Sequence, residues 1–134
     1  MPHVVVQYTA NLEPDANMGA LCKALAEVLV AQRDGAGACV FPIGGTRVLA
    51  YPAANFAVAD GAADRAFVYV NARIARGRDR ALVDAAGEAM MTLVRAHFAP
   101  LLAKRALGVT LQIDEGVPVF DAKHGTLHPL FAGR

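Results

Sequence analysis

A strand-like run, an amphipathic helical stripe and a second strand-like run follow one another twice along this chain, and that doubling leaves few topologies open. His3 to Thr9 (HVVVQYT) is β-branched and aromatic and gives way to Asn11, Glu13 and Pro14, so a strand is expected to stop in a polar turn. From Asn17, placed to cap a helix, apolar residues recur at Met18, Leu21, Cys22, Leu25, Val28 and Leu29, and the stripe runs out at Gly35. After a loop from Gly35 to Gly45, Arg47 to Phe56 (RVLAYPAANF) again has strand composition. Pro52 cannot donate to a ladder, which puts this strand at a sheet edge or at a bulge.

The second unit follows the turn ADGAAD. Ala66, Val68, Val70, Ala72 and Ile74 alternate with Phe67, Tyr69, Asn71 and Arg73, the period of a strand. Asp79 is placed to cap a helix in which Leu82, Ala86, Met90, Leu93, His97 and Leu101 line one face, widened by Val83, Val94 and Phe98. Pro100 is expected to bend or fray its last turn. Val109, Leu111 and Ile113 then alternate with Thr110, Gln112 and Asp114, before a Pro- and His-containing tail from Gly116 to Arg134.

The expected fold class is α/β (α+β in some schemes): one domain over residues 1–134, with pseudo-repeats 2–56 and 65–114 and a tail 116–134. Two tandem β-α-β units then make a four-stranded sheet, and right-handed crossovers put both helices on one face. The other face has no cover from within the chain. It is nonetheless not polar: Val4 and Val6 point one way and Val5 the other, the mark of a strand buried on both sides. A closed homo-oligomer is the expected way to bury that face.

Composition narrows the partners. The chain is 55% hydrophobic and 19% charged, which suits a packed globular protein rather than a disordered one. A net charge of +1 provides no overall field to recruit nucleic acid or an anionic membrane. The cluster Arg73, Arg76, Arg78 and Arg80 is short and lacks interleaved aromatics. No apolar run approaches the roughly 18 residues of a membrane span. Neither nucleic acid nor membrane is therefore an expected partner. Cys22 and Cys39 fall short of a disulfide framework, and no basic stretch followed by an apolar run opens the sequence, so a cytoplasmic setting is expected. His3, His97, His124 and His128 have no zinc-site spacing with the cysteines, and Gly44-Gly45 is too short for a phosphate loop. No metal and no cofactor is expected.

Several stretches together resemble one family. MPHVVVQYTANL, FPIGGTR, ADGAADRAFVYVNARIARGR, AGEAMMTLVRAHFAPLL and the terminal HPLF are similar to 5-carboxymethyl-2-hydroxymuconate isomerases. These belong to the tautomerase superfamily, alongside 4-oxalocrotonate tautomerase and macrophage migration inhibitory factor. The resemblance covers nearly the whole chain and implies a homotrimer of doubled β-α-β chains acting on a small 2-hydroxymuconate-type dicarboxylate. Two departures bear on the pocket rim and substrate preference: the stretch around Glu27 to Val40 is longer than the family pattern, and Gln7 stands where the family has an acidic residue.

The residue that carries the chemistry in this reading is Pro2. Removal of Met1, favoured when the second residue is small or Pro, leaves a secondary amine at the start of a strand. Such an amine is too basic to be neutral at physiological pH. An apolar pocket and neighbouring cations disfavour its ammonium form and lower its pKa to where it can act as a general base. A retained Met1 would instead make the nitrogen a tertiary amide with no basicity. Taken alone, a Pro at position two is more often only a processing and stability residue. The whole-chain resemblance favours catalysis.

The resemblance also places Arg47, of FPIGGTR, and Arg78, of ARGR, in the site as substrate-binding residues. One guanidinium can hold a carboxylate bidentately while another stabilises charge developing on a dienolate oxygen; the sequence does not say which does which. Arg73, Arg76 and Arg80 read as a solvated face. Phe41, Tyr51 and Phe56 could wall the pocket and keep Pro2 desolvated, but core packing is the commoner fate of such residues, and His97 reads as a hydrogen-bonded core residue.

The expected reaction is an allylic 1,3-proton shift: neutral Pro2 removes a proton from the 2-hydroxy group or adjacent carbon, and its ammonium form returns one at a distant carbon. One site per chain is expected, because the position matching Pro2 in the second unit, near Arg65 and Ala66, is internal. Two alternatives stay open from the sequence. One is hydration, dehalogenation or decarboxylation of related unsaturated acids. The other is a non-enzymatic, cytokine-like binding role.

Overall fold

The computed structural model describes all residues from 1 to 134. Strand β1 (His3–Thr9) leads through a 3-10 turn (Ala10–Leu12) and the one-turn helix α1 (Glu13–Ala16) into helix α2 (Met18–Val30). Strand β2 (Arg47–Ala53) closes the first unit; β3 (Ala66–Ala75), α3 (Arg80–Leu102) and β4 (Leu107–Gly116) form the second. A last 3-10 turn (His128–Phe131) ends the tail.

The sheet order is β2-β1-β3-β4. Each unit pairs its own strands in parallel, β1 with β2 and β3 with β4, and the units join antiparallel through β1 and β3. The sheet is therefore mixed, with the first strand of each unit at its centre. Pro52 lies in β2, an edge strand, where its missing N–H leaves no gap in a central ladder.

Both long helices cover one face. Val4, Val6 and Tyr8 of β1 and Val68, Val70, Ala72 and Ile74 of β3 are buried beneath Leu21, Leu25 and Leu29 of α2 and Val83, Ala86, Met90, Val94 and Phe98 of α3. Burying one such side chain contributes about 1.5–3 kcal/mol. The leucines of α2 alone thus outweigh the ~1 kcal/mol that Gly19 costs within the helix. Asn17, in a left-handed conformation at φ 45°, caps α2 by accepting from the N–H of Ala20.

Several elements depart from the sequence expectations in detail. Where a polar turn is expected after β1, Glu13 to Ala16 form one helical turn with Pro14 in its first positions. Helix α2 stops at Val30, short of Gly35, because side chains cap its last carbonyls: Gln32 donates to Val28 and Arg33 to Val30. Strand β2 ends at Ala53 rather than Phe56. Asp79 sits at the cap of α3 but makes no side-chain bond; its backbone carbonyl accepts from Leu82 and Val83 instead. The buried stripe of α3 is centred on Val83, Ala86, Met90, Val94 and Phe98, and Leu82, Leu93 and His97 lie on its flank. Pro100 is accommodated inside the helix, which ends at Leu102.

The face away from the helices carries two kinds of surface. Val5, Leu49 and Tyr51 give it an apolar side at β1 and β2. Towards β4 it is polar, with Asn71 donating to Asp114 at 2.6 Å and Tyr69 to Gln112 at 2.7 Å. Gln7 lies on this face, between Tyr51 and Tyr69.

Candidate active site

The parallel ladder between β1 and β2 fixes the amino end of the chain beside Arg47. His3 pairs with Arg47, and the Arg47 N–H donates to the carbonyl of Pro2 at 3.3 Å. Pro2 itself is buried. Met1 stands between it and a cleft of about 640 Å³, walled by Met1, Gly44 and Arg47 on one side and by tail residues from Ala122 to Pro129 on the other.

Arg78 approaches the same point from the loop between β3 and α3. Its Nε donates to the Val40 carbonyl at 3.0 Å and its Nη1 to the Ala75 carbonyl at 3.1 Å. Its guanidinium lies 4.7 Å from the ring centroid of Phe41, which is buried. Arg78 is thus a fixed cation rather than a swinging one. It forms no wall of the cleft, yet its charge reaches the amino terminus. Burial, followed by Arg78, Lys123 and Arg47 in that order, holds the Met1 amine below the ordinary terminal-amine value of 8.0, while Asp121 acts in the opposite direction.

The chain therefore brings Pro2, Arg47 and Arg78 to one end of the sheet. The remaining arginines of the basic cluster go elsewhere: Arg80 pairs with Asp84 at 2.8 Å on the surface of α3, and Arg73 lies across Gly116 at the end of β4. Phe41 is core and also supports Arg78, whereas Tyr51 and Phe56 are exposed and lie outside the cleft wall. His97 lies within hydrogen-bonding reach of the Ala16 carbonyl, which accounts for its half-buried place on the helix.

Sequence reasoning missed the contribution of the tail. His128 meets the Met1 sulfur at 3.1 Å, and Lys123 lines the cleft. The approach depends on the two glycines before Thr46. A Cβ on Gly44 would come within 3.1 Å of the His128 Cα, and one on Gly45 within 2.7 Å of the Met1 Cγ. The HPLF motif marks the segment that folds back, but nothing in its spacing says what it would meet.

A second groove, of about 740 Å³, runs between α3 and β4 among Arg80, Asp84, Glu88, Arg95, Asp114 and Glu115. It is larger, but its charges are of both signs and it contains none of the three residues above. Of the two, only the amino-terminal cleft lies beside Pro2 and is lined by Arg47.

Residues 2–131 match the family model described as 5-carboxymethyl-2-hydroxymuconate isomerase. The chain is 30% identical over 131 residues to the 5-carboxymethyl-2-hydroxymuconate Delta-isomerase of Escherichia coli, covering 98% of this chain and 99% of that one. A crystal structure of a 5-carboxymethyl-2-hydroxymuconate delta-isomerase is 48% identical, superimposes with a TM-score of 0.94, and is matched over 100% of this chain and 95% of its own. A fused 4-OT described as a symmetric trimer is 26% identical with a TM-score of 0.57, over 98% of this chain and 99% of that one.

Proposed function

The chain belongs to the 5-carboxymethyl-2-hydroxymuconate isomerase family, and from that premise we propose that it isomerises 5-carboxymethyl-2-hydroxymuconate or a close 2-hydroxymuconate, with Pro2 carrying the proton once Met1 is removed. The observation that carries this reading is the convergence of Arg78, Lys123 and Arg47 on a partly buried amino terminus.

With Met1 attached, the Pro2 nitrogen is an amide and holds no basic lone pair. Once freed, it is a secondary amine one residue further in, facing the same cations. Its neutral form removes a proton from one end of the substrate's allylic unit, and the ammonium so formed delivers a proton to the other end. No atom is gained or lost, and no outside oxidant or reductant enters. The negative charge that spreads over the dienolate in between is stabilised by the guanidinium of Arg78, which its bonds to Val40 and Ala75 already hold in place. Arg47, at the open wall, is the group that holds a substrate carboxylate. Arg78, tied to two carbonyls and a ring, supplies the fixed charge.

The same reading includes a homotrimer. Val5, Leu49 and Tyr51 leave an apolar strip without intrachain cover, and the fused 4-OT relative is a trimer.

Intact mass and ultraviolet-monitored turnover, taken on the same preparation, test the proposal. Protein lacking Met1 should convert the muconate, and Pro2→Ala, which leaves a more mobile primary amine, should be slower by about 100-fold. Equal turnover by protein that still carries Met1 would sink the reading.

A further inference from the structure

The tail supplies a third cation, Lys123, to which the isomerase reading gives no substrate contact. Lys123 lines the amino-terminal cleft together with Arg47, on a segment whose His128 packs closely on Gly44. Its side chain is about half exposed, at 48%, and its one ion-pair partner is Asp121, two residues earlier and itself exposed. Asp121 can therefore give up the contact to water at little cost. Arg47 and Arg78 both come from the sheet side; Lys123 alone reaches the cleft from the tail.

The substrate offers something for it to hold. A muconate skeleton carries two carboxylates, and a carboxymethyl branch adds a third on a one-carbon arm. A carboxylate on a rotatable arm presents no fixed plane, so it suits a mobile point charge better than a rigid guanidinium fork. We infer that Lys123 binds the carboxylate of the carboxymethyl branch and sets the preference for branched over unbranched 2-hydroxymuconates. This rests on the isomerase reading above.

The charge of Lys123 also bears on the proton affinity of the amine, so its removal alters turnover of any substrate to some degree. The discriminating quantity is the ratio of kcat/KM between two substrates, which a change common to both leaves unmoved. Protein verified by mass to lack Met1 is assayed with 5-carboxymethyl-2-hydroxymuconate and with 2-hydroxymuconate, as the unmodified chain and as Lys123→Met and Lys123→Arg. In Lys123→Met the ratio should fall by about 10- to 100-fold, mainly through KM for the branched substrate. Lys123→Arg, which keeps the charge, should recover most of it. Equal losses on both substrates, or none on either, overturn the inference and leave the isomerase reading standing. Turnover of neither substrate by the unmodified chain overturns that reading, and this inference with it.

Discussion

Arg78 lies over Phe41, guanidinium carbon to ring centroid 4.7 Å, while the same guanidinium donates to the carbonyls of Val40 and Ala75. One side chain thereby ties the loop after α2 to the end of β3 and fixes a positive charge beside the amino terminus. A lysine would keep the charge but cannot hold both carbonyls and the ring face together. Arg78→Lys should reduce kcat/KM by about 10- to 100-fold and lower the thermal midpoint by several degrees, because the ties to Val40 and Ala75 are weakened along with the site. Arg80→Lys is the control. That guanidinium is 86% exposed and pairs only with Asp84, so activity should be unchanged.

The pH profile follows from the same cations. An amine whose ammonium form is disfavoured by burial and by Arg78, Lys123 and Arg47 becomes neutral at a lower pH than a free terminus. If Pro2 is freed and works as proposed, its nitrogen meets the same cations, and the rising limb of kcat/KM against pH should fall below the usual range of a secondary amine. Arg78→Ala removes a repulsive charge, which raises the pKa and moves that limb to higher pH. The sign for stability follows too. The unfolded chain holds its amino-terminal proton to higher pH, so this contribution is present above the unfolded value and is lost as pH falls through the folded one. Rates measured from pH 5 to 9 on both proteins check the direction, and a limb that moves to lower pH in Arg78→Ala contradicts it.

Much of this fold was legible in the residues because its periodicities are local. The alternation from Ala66 to Ile74 maps directly onto the buried and exposed sides of β3. The stripe of α3 was legible only to within a residue. Leu82 and Leu93 are about as apolar as Val83 and Val94 one residue on, and only the sheet decides that the stripe centres on the latter. Helix α1 was invisible, since four residues are too few to show a helical period. The site divides the same way. Pro2, Arg47 and Arg78 sit in motifs at the ends of elements, but Lys123 and His128 reach the cleft through contacts more than 70 residues distant in sequence, on a tail with no repeating pattern.

That tail is held by close backbone approach, which makes Gly44 the position to test. A Cβ there would meet the His128 Cα and Nδ1 at 3.1 Å and the Phe131 ring at 3.4 Å. A backbone atom cannot rotate aside, so the tail must shift and carry Lys123 with it. Gly44→Ala should raise KM by about two- to fivefold, because a contact at 3.1 Å asks the tail to give by only a few tenths of an ångström. Gly45→Ala is the informative contrast. Its worst contact is with Met1 at 2.7 Å, and removal of Met1 leaves the Pro42 ring at 3.1 Å as the closest neighbour. It should be tolerated in processed protein and strained in protein that keeps Met1, a difference that thermal midpoints of the two forms would reveal.

At the far end of β1, Tyr8 is 5% exposed and its hydroxyl donates to Glu13 at 2.8 Å. Burial first, and then the bond to Glu13 and its charge, push the phenol from 10.0 up to about 12. The unfolded chain therefore loses this proton before the folded one does. The resulting stability is fully present below pH 10 and declines as pH rises towards about 12. Tyr8→Phe deletes the hydroxyl and leaves Glu13, which is exposed, to water. At pH 7 that should cost about 1 kcal/mol, the usual net worth of one hydrogen bond. Urea unfolding of both proteins between pH 7 and 11.5 separates this group from all others, because the difference between them cancels every titration they share. The gap should be constant up to about pH 10 and then narrow; a gap that widened instead would mean that Tyr8 gives up its proton more readily in the folded chain than in the unfolded one.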